Sequence, residues 1–212
     1  MDFQLETLHV SQIRDMDFSW MKEAMPERWK KAHRFLREED RLLCLGAGFL
    51  LKRFAGINSE KGLSFNEYGK PFAFGKKAFS ISHSFELCAI AISEREGAKI
   101  GLDIEKIEEA FPEEAKMIFT AEEKEWVTAL EKDNSTAFLK DFSDDSSKCF
   151  YRLWTMKESV LKAMGQGFNF EPASFSVLPA FSKEDIKING ENWRIEAFER
   201  DDYSISVCIS DK

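Results

Sequence analysis

The sequence has few cysteines, and they lie far apart. Its 212 residues include four, Cys44, Cys88, Cys149 and Cys208, and no two of them form a C-x-x-C pair. This spacing favours neither a disulfide framework nor a zinc site, so we expect a protein of a reduced, cytoplasmic setting.

A long hydrophobic run and an export signal are also lacking. The longest apolar run, residues 42–51, lies between Arg41 and Lys52 and is too short to span a bilayer. The first ten residues lack the basic and apolar stretches of a signal peptide. We therefore predict a soluble protein that does not associate with a membrane.

Positive charge is scarce, since the formal net charge is −8. This balance argues against a general nucleic-acid binder, and any anionic ligand must be held by a local basic patch. One such patch begins at Arg28 and Lys31, just after Pro26, which is a favourable first residue of a helix. A phosphate could bind near that helix N-terminus, although a solvated charged face is the simpler interpretation.

The composition is typical of a folded protein, with 43% hydrophobic residues, 20 Phe and 5 Trp. Grouped helical patterns between alternating strands favour an α+β fold in which each half builds its own sheet and helix layer. The predicted elements, in chain order, are a strand over residues 3–10, one or two helices from Pro26 onward, a turn at 66–71, a hairpin over 78–93, a strand at 99–106, helices over 110–130 with a break near Thr120, a mobile loop at 131–149, a helix over 150–167, and strands at FSVL, WRIEAF and YSISVCIS.

Two of these elements carry acids in unusual positions. On the strand 99–106, Asp103 and Glu105 share one face, although D-x-E alone is a common pattern. On the helix 150–167, Glu158 and Lys162 lie one turn apart on one flank, which could be an ordinary surface ion pair. Lys157 falls inside the apolar stripe of the same helix, where its ammonium needs an anion or must reach out to water.

Four motifs together resemble the Sfp-type 4'-phosphopantetheinyl transferases. They are Y-G-K-P at 68–71, S-I-S-H-S at 80–84, G-L-D-I-E at 101–105 and W-T-M-K-E-S-V-L-K at 154–162. The resemblance extends from P-E-R-x-x-K at 26–31 to F-S-V at 175–177. It implies a monomer of two pseudo-twofold-related lobes, each an antiparallel sheet packed with helices, with the active site in the cleft between them. The implied lobes are residues 1–100 on the CoA nucleotide side and 101–212 on the metal and carrier-protein side.

The resemblance also implies a reaction, a metal and a partner. The phosphopantetheine arm of coenzyme A moves to a serine of an apo acyl or peptidyl carrier protein, and 3',5'-ADP leaves. Mg²⁺, or Mn²⁺, would be held by Asp103, Glu105 and Glu158. Residues 111–130 and those after Gly165 resemble the carrier-contacting surface, which would meet an acidic carrier through apolar contacts.

Individual roles follow from the same motifs. Asp103, Glu158 and Lys162 would be catalytic, with Lys162 stabilising the charge on the departing nucleotide. The base that activates the serine would be Glu123, in the F-T-A-E-E segment, or a metal-bound water or hydroxide. The implied CoA contacts are Arg28, Lys31, Lys70, Ser82, His83, Lys157 and Lys162.

Two positions depart from the family pattern, and two other functions stay open. Cys44 stands where a hydroxyl residue is expected near the nucleotide, and the loop 131–149 is long and acidic. The same three acids would suit a metal-dependent pyrophosphate hydrolase with water as the acceptor. A CoA- or carrier-binding module without chemistry is the third possibility.

Overall fold

The computed structural model describes residues 2–109, 112–132 and 146–211. The fold is α+β with antiparallel sheets, as predicted. Its helices and strands are β1 (Phe3–His9), α1 (Val10–Ile13), α2 (Met21–Ala24), α3 (Pro26–Ala32), α4 (Glu38–Phe54), β2 (Ser64–Phe65), β3 (Pro71–Phe72), β4 (Phe79–Ser84), β5 (Leu87–Ser93), β6 (Ile100–Lys106), α5 (Glu113–Lys116), α6 (Ala121–Lys132), α7 (Ser146–Met164), β7 (Ile186–Ile188), β8 (Glu191–Arg200) and β9 (Tyr203–Ser210).

Two main sheets each draw their strands from one half of the chain. The first has the order β1-β5-β4 and the second the order β6-β9-β8-β7, and a short ribbon joins β2 to β3. Strand β5 is buried on both faces. Its Cys88, Ile90 and Ile92 pack towards α4, whereas Leu87, Ala89 and Ala91 belong to a core that includes β6. The two sheets therefore meet through a shared apolar core.

Strand β6 follows the predicted alternation. Ile100, Leu102 and Ile104 lie in the core between the sheets, and the opposite face turns Asp103 and Glu105 away from that core. This second face of β6 does not face solvent, because the long helix α7 packs against it. The two acids are consequently held between a strand and a helix.

Helix α7 begins before its predicted start at residue 150 and ends at the predicted place. Its last residue is Met164, and Gly165 follows with a φ of +72°, the left-handed conformation that glycine adopts readily. The apolar face of α7 packs on the second sheet, where it meets Trp193, Ile195 and Cys208. The middle of the helix is therefore fixed by a large aromatic core.

The predicted strand at FSVL is wrong. Residues 175–177 lie between the short 3₁₀ helices 172–174 and 178–182, and the edge strand beside β8 in the four-stranded sheet is β7. The backbone N–H of Val177 donates to the Glu123 carboxylate at 2.8 Å, and the carbonyl of Phe175 accepts from Lys157. These backbone groups bind side chains, so they are not available for a strand ladder.

The other predicted strands, helices and turns are confirmed where the structure describes them. These include the opening strand, the helix start at Pro26, the turn at 66–71, the hairpin, and the helix break at Thr120. The ends of the predicted loop 131–149 are helical, since α6 reaches Lys132 and α7 starts at Ser146, and residues 133–145 lie outside the described part. Within that part, no helix has both the length and the apolar character needed to cross a membrane.

Candidate active site between strand β6 and helix α7

Side-chain hydroxyls join the two sheets. The backbone N–H of Leu102 donates to Ser80 Oγ at 3.0 Å, and Ser82 Oγ donates to Asp103 Oδ1 at 3.1 Å. One step further along both strands, Ser84 Oγ donates to Glu105 Oε2 at 3.0 Å. Serines at every second position of β4 therefore fasten it to β6 and fix the orientation of both acids.

The acids of β6 meet the charged flank of α7. Lys162 Nζ lies 2.6 Å from Asp103 Oδ1 and 2.9 Å from Ser82 Oγ. The Asp103 side chain is 4% exposed, and that of Lys162 is 35% exposed. Glu158, one turn before Lys162, is partly buried beside them. The structure thus brings together Asp103, Glu105, Glu158 and Lys162, and it places Ser82, an implied CoA contact, against Asp103 and Lys162.

Burial and the neighbouring charges shift the pKa values of this group. Burial, followed by the charge of Asp103, raises the pKa of Glu105 to about 7, while the Ser84 hydrogen bond acts in the opposite direction. The pKa of Glu158 is also raised, by burial and then by Asp103. Burial acts to lower the pKa of Lys162, but the neighbouring carboxylates, chiefly Asp103, raise it overall. Three acids next to one ammonium leave an excess of negative charge.

The three acids offer oxygen atoms of the kind that a divalent cation binds. Within the described part of the chain, Asp103 Oδ2 is buried and has no hydrogen-bond partner. Such an atom needs a cation or a donor. No three His, Cys, Asp or Glu side chains of the described residues already form a ready set of ligands. The ammonium of Lys162 instead contacts Asp103. The carboxylates that a metal would need are therefore present, but they are arranged around Lys162.

A cavity of about 250 Å³ opens beside this cluster. Glu158 and Lys162 line one side of it, and the segment around Lys70 lines another. Most of the remaining lining is apolar. It consists of Tyr68, Pro71, Phe79, Ile81 and Leu161, with Ser80, Gly165 and Gly167. A partly apolar cavity next to a charged cluster suits a ligand with an organic part and an anionic part.

The predicted basic residues lie near the same cluster. The surrounding protein, followed by the positive charges of Lys162, Lys31 and Arg28, lowers the pKa of the His83 imidazole, whereas Asp40 acts in the opposite direction. Arg28 Nη1 also donates to the carbonyl of Cys44 at 3.3 Å. The sequence prediction of a local basic patch in an acidic protein is thus met by residues from α3 and β4.

The N-terminus of α3, where the sequence allowed a phosphate, is already capped by a side chain. The carboxylate of Glu60 accepts from the backbone N–H groups of Glu27 at 2.9 Å and Arg28 at 2.6 Å. These are the donors that a phosphate would otherwise use. The basic side chains therefore remain available, whereas the helix end is already capped.

Two predicted site residues lie elsewhere. Lys157 and Glu123 are both fully buried, and Lys157 Nζ lies 2.7 Å from Glu123 Oε2. Glu123 also accepts from the backbone N–H of Thr120 and of Val177. The anion that Lys157 required is thus internal, and this geometry does not support a CoA contact for Lys157 or proton abstraction by Glu123.

Lys70 is near the cavity, but its ammonium points into the protein. Its Nζ donates to the carbonyls of Ile100 at 2.9 Å and Ala163 at 3.0 Å. Burial lowers its pKa to about 8, with Lys99 contributing in the same direction. Only the aliphatic stem of Lys70 is therefore presented to the cavity.

Sequence reasoning missed Ser84, Glu60 and Asn66. Ser84 could have been found, since it continues the alternation of Ser80 and Ser82 opposite the two acids. No local signal marks the contact of Glu60 with α3 or that of Asn66 with the end of α7, because these partners lie 32 and 99 residues away in the chain.

Comparison with known proteins gives a consistent result. The pattern of the 4'-phosphopantetheinyl transferase superfamily matches residues 99–208. A 4'-phosphopantetheinyl transferase of Bacillus subtilis is 33% identical over 199 residues, which cover 87% of this chain and 81% of that protein. The transferase Sfp of Bacillus subtilis (strain 168) is 32% identical over 161 residues, covering 72% of this chain and 65% of its own. The transferase gsp of Aneurinibacillus migulanus is 36% identical over 110 residues, covering 52% and 40%.

Proposed function

Because this chain belongs to the 4'-phosphopantetheinyl transferase superfamily, we propose that it transfers the 4'-phosphopantetheine arm of coenzyme A to a serine of an apo acyl or peptidyl carrier protein. The serine oxygen bonds to the phosphorus that bears the arm, and the proton of the serine hydroxyl passes to water. The P–O bond to the other phosphate breaks, and 3',5'-ADP leaves with that oxygen.

Asp103, Glu105 and Glu158 are the proposed ligands of Mg²⁺, with Mn²⁺ as the second choice. The observation that carries this proposal is the buried Asp103 Oδ2, which lacks a hydrogen-bond partner within the described residues. When bound, the ion would neutralise and orient the pyrophosphate of CoA. Ser82 and Ser84 hold the carboxylates of Asp103 and Glu105 in the required orientation.

The cationic residues around the cluster are the proposed phosphate contacts. Lys162 stabilises the charge that develops on the departing nucleotide, because its ammonium already lies among the acids and remains partly exposed. Arg28, Lys31 and His83 bind further phosphate oxygens of CoA. The cavity beside Glu158 and Lys162 accepts an organic part of the same substrate. Glu123 is assigned no proton transfer, since each of its oxygens already accepts a hydrogen bond.

We propose that the two halves of the chain, each with its own sheet, bind different substrates. Residues 1–100 form the lobe that binds the CoA nucleotide, and residues 101–212 form the lobe that supplies the metal ligands and meets the carrier protein. Met117, which is 77% exposed, offers an apolar contact on the carrier side. We further propose that the protein works as a cytoplasmic monomer.

The test is the intact mass of an apo acyl carrier protein after incubation with this protein, CoA and Mg²⁺. We expect a gain of one phosphopantetheine group that is lost with EDTA, and the same loss when the carrier serine is replaced by alanine. Glu158→Gln should abolish the gain while far-ultraviolet circular dichroism stays that of the wild type.

The alternatives predict other products. A pyrophosphate hydrolase would release 3',5'-ADP and free 4'-phosphopantetheine without any carrier. A binding module would bind CoA but give no product with several apo carriers. Either result would overturn the transferase proposal.

A further inference from the structure

The turn between β2 and β3 closes on the side chain of Asn66. Asn66 Oδ1 accepts from the backbone N–H groups of Tyr68 at 3.0 Å and Lys70 at 2.8 Å. The backbone N–H of Asn66 donates to the Lys70 carbonyl at 3.0 Å. These three bonds make residues 66–70 a compact unit that presents two side-chain donors in a fixed arrangement.

Both donors bind the C-terminal end of α7. Lys70 Nζ donates to the carbonyl of Ala163, in the last turn of the helix, and Asn66 Nδ2 donates to the carbonyl of Gly165 at 2.7 Å. The last carbonyls of a helix have no partner within the helix, and a cation there also complements the helix dipole. The turn therefore supplies a C-terminal cap from a distant part of the sequence.

The same ammonium binds the first residue of β6. Lys70 Nζ donates to the Ile100 carbonyl, three residues before Asp103. Ala163, its other acceptor, directly follows Lys162. A single ammonium thus ties together the two elements that carry the acids and the catalytic lysine. The cavity next to Lys162 lies between this turn and the helix.

Steric contact around Gly165 keeps the turn close. A Cβ atom at Gly165 would come within 2.9 Å of Lys70 Cδ and 3.2 Å of Asn66 Nδ2. The absence of a side chain at residue 165 lets the turn pack directly on the helix end. The turn and the end of α7 are therefore held by van der Waals contact as well as by hydrogen bonds.

We propose that Lys70 and Asn66 are positioning residues, which hold the C-terminal turn of α7 against β6 and so keep Lys162 and Glu158 in place for the transfer. This role differs from the CoA contact that the family resemblance implies for Lys70. The effect of these two residues on catalysis rests on the proposed function. Their contact with α7 and β6 does not depend on it.

The test compares Lys70→Met and Asn66→Asp with Lys76→Met. Asn66→Asp keeps the oxygen that closes the turn and replaces the donor to Gly165, whereas Lys76 is an exposed lysine outside this contact. Amide hydrogen exchange over residues 159–166 is measured first in the ligand-free protein. We expect faster exchange in both contact variants and wild-type exchange in Lys76→Met.

Steady-state transfer is measured next. We expect kcat to fall by roughly 10- to 100-fold in both contact variants, because small displacements of catalytic groups are costly. The KM for the carrier protein should not change. The double variant should be little worse than the poorer single variant, since both residues support one contact.

Three results would overturn the inference. One is wild-type exchange over 159–166 in both variants, and another is faster exchange with unchanged kcat. The third is a loss confined to Lys70→Met and to CoA affinity, which would make Lys70 a direct CoA contact. If the wild type transfers nothing, the proposed function fails, whereas the exchange experiment still reports whether the contact holds the helix.

Discussion

Lys157 Nζ lies 2.7 Å from Glu123 Oε2, and neither side chain has exposed surface. This pair joins the first turn of α6 to the middle of α7. Lys157 also donates to the Phe175 carbonyl, and Glu123 also accepts from the Val177 N–H, so the irregular segment after α7 is held by the same two charges.

Breaking this pair should destabilise the protein. We expect Glu123→Gln or Lys157→Met to lower the free energy of unfolding by about 3–5 kcal/mol, because each leaves a buried charge without its partner. The double variant should lose clearly less than the sum of the two. Urea denaturation at neutral pH measures all three. A Glu123→Gln protein of wild-type stability that cannot transfer would instead make Glu123 the catalytic base.

Gly101 should not tolerate a side chain. A Cβ atom there would lie 1.9 Å from the Ser159 carbonyl oxygen and 2.3 Å from the Ala163 nitrogen, which are backbone atoms of α7. We expect Gly101→Ala to cost about 3 kcal/mol or more and to reduce transfer, because the helix must move away from Asp103.

Gly62→Ala is the matched control for Gly101→Ala, since its Cβ atom would find its nearest neighbour at 4.0 Å. Thermal denaturation and kcat of both variants are compared with the wild type. Wild-type values for Gly101→Ala would mean that α7 does not approach β6 this closely.

Lys70 should make the free energy of unfolding rise with pH in the alkaline range. Burial lowers its pKa to about 8, with Lys99 acting in the same direction and Cys208 against it, whereas an unfolded lysine titrates near 10.4. Between these values the unfolded chain binds more protons than the folded protein, so the unfolding free energy rises with pH.

Denaturant titrations at several pH values between about 8 and 10 test this linkage. The wild type should gain stability relative to Lys70→Met as pH rises, by at most about 1.4 kcal/mol per pH unit. The difference between the wild type and Lys76→Met should stay flat. A falling difference for Lys70→Met would contradict the burial of its ammonium.

Lys162 should compete with a metal ion for Asp103. Its ammonium lies 2.6 Å from Asp103 Oδ1, so its removal leaves the acids with more uncompensated negative charge. We expect Lys162→Met to bind Mn²⁺ about tenfold more tightly or better without CoA, although transfer is lost. Electron paramagnetic resonance of free Mn²⁺ measures the affinity. Asp103→Asn should bind Mn²⁺ weakly, and wild-type affinity in that variant would remove Asp103 from the ligands.

Met117 should affect the carrier protein and not CoA. We expect Met117→Asp to raise the KM for an acidic carrier by about tenfold, because it replaces an apolar contact with a repelling charge. Leu36→Asp is the control, as Leu36 is fully exposed in the other half of the chain. Equal effects of the two variants would place the carrier surface elsewhere.

The sequence by itself determined the elements with strong local signals. The period of two in β6 predicted that Asp103 and Glu105 share a face. The pattern Thr120-x-x-Glu123 is typical of a capping box, and the structure contains both hydrogen bonds of that motif. These features depend on residues a few positions apart, so their geometry follows from strand or helix geometry alone.

Only the tertiary structure decided which charges are partners. The helical pattern placed Lys157 in the apolar stripe and Lys162 on the flank of α7, but it could not show that their anions are Glu123 and Asp103. FSVL alternates like a strand, yet its backbone binds that buried ion pair. Lys70 belongs to a motif of the nucleotide side, yet it caps a helix 93 residues away. Burial and long-range contacts set these partners, because an ammonium in the interior binds whichever oxygens the folded chain brings to it.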